Sequence, residues 1–241
     1  MKNTYLIAGK VIEIDSVYPY VHNLCADYLS GLNPDFSVKT GQADIDYEKK
    51  DYIPGDSGKT IPDEVFESTA VYRKIAERLP EYGAFLFHGS AVSVDGEAYI
   101  FTAPSGTGKS THAALWREIF GDRAVMINDD KPVIGVDGSA VFVYGTPWDG
   151  KHHLSSNTFS PVKAICVIER DAGNSIRRLS GREALPTLLN QVYRPVCAAA
   201  LSRTLLLFDR VLENTPVYLL KCNMEREAAL LSYRTMKEDL K

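Results

Sequence analysis

An α/β fold with a mixed central β-sheet is predicted by three features of the sequence. Residues 98–120 run as an apolar strand, a glycine-rich turn and an amphipathic helix in immediate succession. Residues 124–128 form another apolar strand, closed by Asp129 and Asp130. Asp-Gly pairs at 95–96 and 137–138 each stand between apolar runs, a pattern that specifies tight antiparallel hairpins within the same sheet.

The 241 residues suffice for one large α/β domain, or for a core domain with a small appendage. Lys and Arg number 27 against 31 Asp and Glu, a formal net charge of -4. No basic surface dominates that balance, so nucleic acid is not an expected partner. Cys25, Cys166, Cys197 and Cys222 are far apart and form no Cys-x-x-Cys pair. They read as buried free thiols filling the core of a protein in a reducing compartment. There is no basic segment leading into an apolar leader and no apolar run of about 18 residues, so a soluble, cytoplasmic chain without a membrane partner is expected.

Taken in order, residues 5–14 read as a strand through Tyr5, Ile7, Val11, Ile12 and Ile14, and residues 20–29 as a helix through Val21, Leu24, Cys25, Tyr28 and Leu29. Gly31-Leu32-Asn33-Pro34 ends that helix. Phe36 and Val38 mark a short strand, and residues 42–59 a polar loop or short exposed helix. Within it, Gly55-Asp56-Ser57-Gly58-Lys59-Thr60 imitates a phosphate loop. However, Ile53 stands where the motif needs its first glycine and no apolar strand feeds the turn, so a surface loop is expected. Pro62 opens an amphipathic helix through Val65, Phe66, Ala70, Val71, Ile75 and Leu79, which Pro80 stops. Residues 1–82 thus form a small α/β cap region, and residues 83–241 the domain that carries the glycine-rich turn.

In that domain Phe85-Leu86-Phe87 leads to His88-Gly89, residues 91–94 form a strand, and residues 98–102 return from the Asp95-Gly96 turn. The segment Ala103-Pro104-Ser105-Gly106-Thr107-Gly108-Lys109-Ser110 matches the phosphate-loop pattern G-x-x-x-x-G-K-[ST] except at its first position. Gly106 and Gly108 would let successive N–H groups converge on a phosphate chain, and the N-terminus of the following helix would add partial positive charge. On this reading Ser105, Gly106, Thr107, Gly108, Lys109, Ser110 and Thr111 bind the phosphates of ATP. Lys109 reaches the outer phosphates and the Ser110 hydroxyl serves Mg2+. Asp129 and Asp130, about twenty residues past Lys109, stand where a parallel α/β sheet places a metal-linked carboxylate. One of the pair would hold Mg2+ through water, and the other could take a proton from an attacking hydroxyl.

Residues 131–136 and 140–144 form the second hairpin, followed by a turn-rich loop over 145–161 that suits a lid or an acceptor platform. Its His152-His153 pair lacks a Cys or acidic partner at metal spacing, so zinc is not expected. Residues 162–169 and 175–179 read as two strands of a hairpin. Ser180 and Glu183 read as the capping box of the next helix, which Arg194-Pro195 interrupts. Residues 198–212, the most apolar helix, should be deeply packed. Residues 216–222 form a last strand, and Asn223 caps a last helix. Lys151, Arg194 and Arg203 are candidates for neutralising a transferred phosphate.

The phosphate loop, the upstream His88-Gly89 and the downstream Asp129-Asp130 together resemble the catalytic domain of HPr kinase/phosphorylase. The resemblance is greater to the smaller HPr kinase-like proteins, some of which phosphorylate a serine on ribosomally made precursor peptides. All are distant structural relatives of ATP-dependent phosphoenolpyruvate carboxykinase. The resemblance spans residues 84–222. It implies an HPr kinase C-terminal-domain or carboxykinase-like sheet, a catalytic His88 near the transferred phosphate, Asp129 as proton acceptor or donor, and Asp130 as the metal-linked carboxylate. The division of roles between the two aspartates stays open. Tyr144 stands where HPr kinase carries the arginine of an Arg-Gly signature, a departure that bears on the phosphorylase activity and on HPr as substrate, both of which stay open, more than on the kinase half of the chemistry.

The expected activity is Mg2+-ATP-dependent transfer of the γ-phosphoryl group to a serine-type hydroxyl on a peptide, protein or small molecule. The rival expectation is a non-catalytic ATP-binding module or partner subunit in a peptide-modification pathway. A carboxykinase acting on a small keto acid is disfavoured by the short chain. Assembly into a homo-oligomer is an expectation by analogy with the relatives alone.

Overall fold

The structure is a computed structural model that describes residues 1–50, 52 and 60–238. The phosphate-loop imitation at 55–59 lies outside the described residues. The chain divides into two compact units, Met1–Arg78 and Leu79–Lys241.

In the first unit, β1 (Lys2–Ile7) and β2 (Lys10–Asp15) pair antiparallel, and β3 (Phe36–Lys39) joins β2 in parallel. The single strand expected over 5–14 is therefore a hairpin. Ala8 and Gly9 both take positive φ (52° and 73°), the backbone that a two-residue turn matched to strand twist requires. An apolar residue at the turn hides that signal from a reading by composition. The helix expected over 20–29 is α1 (Tyr20–Leu24) followed by a 3-10 turn, Ala26–Tyr28. Two further helices follow, α2 (Gln42–Lys49) and α3 (Asp63–Arg78). Glu67 of α3 is fully buried. Its carboxylate accepts from Val17 N–H (2.6 Å), Tyr18 N–H (2.8 Å) and the Thr40 hydroxyl (2.8 Å), which ties the segments before α1 and after β3 to the helix.

The second unit is a mixed α/β structure around a nine-stranded sheet, in agreement with the predicted fold class. Its strands are β4 (Ala84–Leu86), β5 (Ser90–Val94), β6 (Glu97–Thr102), β7 (Ala124–Asn128), β8 (Val133–Asp137), β9 (Ala140–Tyr144), β10 (Phe159–Arg170), β11 (Ser175–Leu179) and β12 (Val217–Cys222). Both Asp-Gly hairpins form, β5–β6 and β8–β9. The twelve-residue β10 organises the sheet. Its first residues pair antiparallel with β9, and beyond Pro161 it runs parallel to β6 on one edge and to β12 on the other. This strand begins inside the segment expected as loop.

Alternate residues of β6 and β10 feed two cores. Ile100, Ile165 and Val167 meet α5 (Gly181–Leu189) and α6 (Ala198–Asn214) through Leu188 and Phe208. Tyr99, Phe101 and Cys166 meet α4 (Lys109–Phe120) and α7 (Arg226–Glu238) through Trp116 and Met236. The predicted capping box at the start of α5 is present, with Ser180 and Glu183 satisfying each other's backbone N–H groups.

Three expectations are corrected here. Residues 162–169 and 175–179 do not form a hairpin, because β12 lies between β10 and β11 and pairs with both. Helix α6 is not deeply packed throughout: Leu206 is 67% exposed and Leu205 42%, since its apolar residues exceed what one buried face can hold. Cys25, Cys166 and Cys222 are buried, but Cys197, just ahead of α6, is exposed. Among the described residues, no helix is long and apolar enough to cross a membrane.

Candidate active site

The turn between β6 and α4 is shaped by its two glycines. Gly106 has φ 76° and Gly108 φ 122°, values an L side chain rarely adopts, and open space lies where a Cβ would project from either. Ala103, in the position where the phosphate-loop pattern has glycine, is fully buried, and its carbonyl accepts a hydrogen bond from Lys109 Nζ (2.9 Å). Burial pushes the Lys109 ammonium below its ordinary range, against the opposing pull of Asp130 and Asp129. Arg170, the last residue of β10, donates from Nε to Thr107 O (2.9 Å) and from its terminal nitrogen to Gly106 O, clamping the turn. Sequence reasoning missed Arg170. The signal lies in topology: β10 runs parallel to β6, so their carboxyl ends meet at the same edge.

Asp129 and Asp130 close β7 in unlike surroundings. Asp129 is buried, with Oδ1 accepting from the Ser90 hydroxyl at 2.7 Å. Asp130 lies with Oδ1 3.3 Å from His88 Nε2 and with Oδ2 accepting from Lys131 Nζ at 2.9 Å. Burial pushes the Asp130 carboxyl up, but His88 and Lys131 outweigh it and hold the group at about 2. The other ring nitrogen of His88 is 2.8 Å from Gln191 Oε1, so the imidazole is fixed from both sides. Gly89 follows because nothing larger fits: a Cβ there would lie 2.9 Å from Phe101 O. Its N–H donates to Asp130 O (3.1 Å), which joins the His-Gly segment to the acidic turn.

The segment over 145–158 is anchored to β7 at its base, with Ser156 N–H donating to Ile127 O (3.1 Å) and the Ser156 hydroxyl to Met126 O (2.9 Å). At Gly150 the chain passes so close that a Cβ would lie 2.9 Å from Asp130 Cβ. A cavity of about 410 Å3 results, lined by Ser105, Gly106, Gly108, Lys109, Ser110 and Thr111 of the turn and helix, by His88, Asp129 and Asp130, by Gly150, Lys151 and His152, and by Arg170 and Met224. Thr107 alone of the predicted phosphate-binding residues faces elsewhere, into an adjoining cavity of about 300 Å3 with Leu115, Ile168 and Met224 in its walls.

Of the residues expected to neutralise phosphate, Lys151 lines the larger cavity, whereas Arg194 and Arg203 are exposed outside it. His153 does have an acidic neighbour, Asp149, four residues earlier, with Nδ1 3.3 Å from Oδ1. Tyr144 packs away from the cavity, stacked on Phe159 with ring centroids 5.3 Å apart and lying over Gly135. Among the described residues, no group of three or more His, Cys, Asp or Glu could by itself hold a metal. The hydroxyl of Ser110 and the carboxylate of Asp130 are hard oxygen donors of the kind Mg2+ takes, and Mg2+ usually completes its shell with substrate phosphates and water.

No protein-family model matches the chain, and no curated protein matches it. Among solved structures it is similar to the HPr(Ser) kinase/phosphatase from Coxiella burnetii, at 10% sequence identity and a TM-score of 0.39. That similarity covers 64% of this chain and 99% of the other.

Proposed function

We propose that the chain is a Mg2+-ATP-dependent kinase that moves the γ-phosphoryl group to a serine-type hydroxyl on a peptide, protein or small molecule. In this reading residues 83–241 are an HPr kinase-like ATP-binding domain and the turn over 103–110 is its phosphate loop. The observation that carries the reading is a single cavity holding a buried lysine at a glycine turn, a helix N-terminus and two carboxylates in different environments. Phosphoryl transfer asks little covalent chemistry of a protein and much positioning and charge neutralisation, which this set of groups supplies.

Each group then has a task. The N–H groups of the turn and Lys109 hold and neutralise the phosphate chain. Ser110 and Asp130 would hold Mg2+, which when bound screens the phosphate charge. Asp130 suits a role that needs a permanent anion, because its carboxyl is held at about 2. Asp129 suits proton transfer: the Ser90 hydroxyl fixes Oδ1 and leaves Oδ2 to receive the acceptor's proton as its oxygen bonds to phosphorus and ADP departs. His88, beside Asp130, steadies the acidic turn next to the transferred group.

The test is to incubate the chain with Mg2+ and γ-labelled ATP and a panel of hydroxyl-bearing peptides, and to look for label on an acceptor. Asp129→Asn is expected to lower turnover by about 100-fold while changing ADP affinity by less than about threefold. Tight nucleotide retention with no transfer to any acceptor would leave a binding module. Equal losses of turnover and affinity would move Asp129 to the metal.

A further inference from the structure

Asn128, the last residue of β7, has no accessible surface and uses both ends of its carboxamide. Its oxygen accepts from the N–H groups of Asp130 (2.9 Å) and Lys131 (2.6 Å). Its NH2 group donates to Thr146 O (3.0 Å) and Thr146 Oγ1 (3.1 Å), with Trp148 O a longer third neighbour at 3.4 Å. The Thr146 hydroxyl donates onward to Lys131 O (2.8 Å). Two segments remote in sequence, the acidic turn and the start of the loop over 145–158, are thereby closed into one ring of hydrogen bonds.

The chemistry of the side chain is specific. A carboxylate at 128 would keep the acceptors that shape the acidic turn but would lose the donors that hold Thr146. An alanine would lose both and leave backbone groups unpaired in a buried place. The link leads directly to the cavity, since two residues beyond Trp148 the missing Cβ of Gly150 is what lets the loop pass against Asp130. Lys151 and His152, next in the chain, line the same cavity as Lys109.

We infer that Asn128 is a positioning residue for phosphoryl transfer. It joins the acidic turn and the loop bearing Trp148, Lys151 and His152 into one mechanical unit, so that occupancy at Asp130 is transmitted to the loop. This rests on the kinase reading for what occupies Asp130. The coupling itself is measurable without any acceptor.

The experiment titrates the full chain with Mg2+·ADP while following tryptophan emission, with Trp148→Phe identifying the part of the signal that belongs to Trp148, and measures ATP turnover and melting temperature in parallel. The wild-type chain is expected to show a Trp148 signal on Mg2+·ADP addition. In Asn128→Asp that signal should fall at least about threefold and turnover by about 30-fold, with Mg2+·ADP affinity within about threefold. Should Asn128→Asp fail to fold, Thr146→Val removes only the hydroxyl arm of the ring and should lower both signal and turnover about threefold. An Asn128→Asp chain with a lowered melting temperature but unchanged signal and turnover would make the residue merely structural and overturn the inference. Wild-type binding of Mg2+·ADP without a Trp148 signal would overturn the inference alone. No uptake of Mg2+·ADP by calorimetry would sink the kinase reading and this inference with it.

Discussion

Glu67 in the first unit and Lys109 in the second are both buried ionisable side chains, yet their hydrogen-bonding capacity is spent differently. Glu67 receives three hydrogen bonds from its own unit and has no exposed surface. Lys109 has three donors and among the described residues makes one hydrogen bond, to Ala103 O, and the cavity it lines also holds Asp129 and Asp130. Asp129 follows the same pattern, with Ser90 on Oδ1 and Oδ2 unpartnered among the described residues. Removing a buried charge whose partners lie within the protein leaves those partners unpaired and is costly. One with spare capacity at a cavity wall carries a desolvation cost that its partners offset less fully, and under the proposed kinase function that capacity serves the phosphates and the acceptor.

Substitutions can break or sharpen this contrast. The largest effect is expected from Lys109→Met, which keeps the length of the side chain and removes the charge. ATP turnover should fall by about 1,000-fold or more, as read from release of labelled phosphate. Thermal stability should hold or rise, because burial already disfavours the ammonium and the folded state gives up part of its stability at neutral pH to keep it charged. A fall in melting temperature would place Lys109 with Glu67 as a structural charge.

Glu67→Ala should do the opposite. Unpairing Val17 N–H, Tyr18 N–H and the Thr40 hydroxyl in a buried place is expected to cost about 3 kcal/mol in denaturant unfolding. Mg2+·ADP affinity should be unchanged wherever the chain remains folded. A variant whose first unit unfolds while the second stays folded and binds nucleotide would sharpen the contrast further, while a variant of wild-type stability would remove it.

The smallest effect lies at the acid end of the pH range. Asp130 is held at about 2 against an ordinary 3.8, so its folded-state pKa is depressed. The stability it contributes is complete above about pH 4 and is lost as pH falls toward about 2. Asp130→Asn should therefore flatten the stability curve over that window by about 1 to 2 kcal/mol and leave its shape near neutrality unaltered. An unaltered acid limb would mean that His88 and Lys131 do not hold the carboxylate as the distances imply.

Much of the second unit was legible because its signals are local. The two Asp-Gly hairpins, the glycine turn feeding α4 and the capping box at Ser180 each lie within a few residues of chain, where backbone preference and spacing act directly. The Ala8-Gly9 turn escaped because its positive φ falls on an alanine, which composition does not mark as a turn former. Asp129 and Asp130 could be singled out as a pair, but not told apart. Their difference comes from Ser90, His88 and Lys131, of which only Lys131 is adjacent in sequence.

By itself, then, the sequence determined which segments become strands and helices across most of the second unit and where the glycine turn falls. It also determined that an acidic pair closes the strand after α4. Only the tertiary structure decided that β12 separates β10 from β11, that Arg170 clamps the turn while Arg194 and Arg203 stay outside the cavity, and that Asn128 ties the acidic turn to the loop beyond β9. The physical reason is one of range. Periodicity and turn chemistry are written within a few consecutive residues, whereas the partner of an edge, a guanidinium or a buried amide is set by which distant backbones come to share a boundary of the sheet.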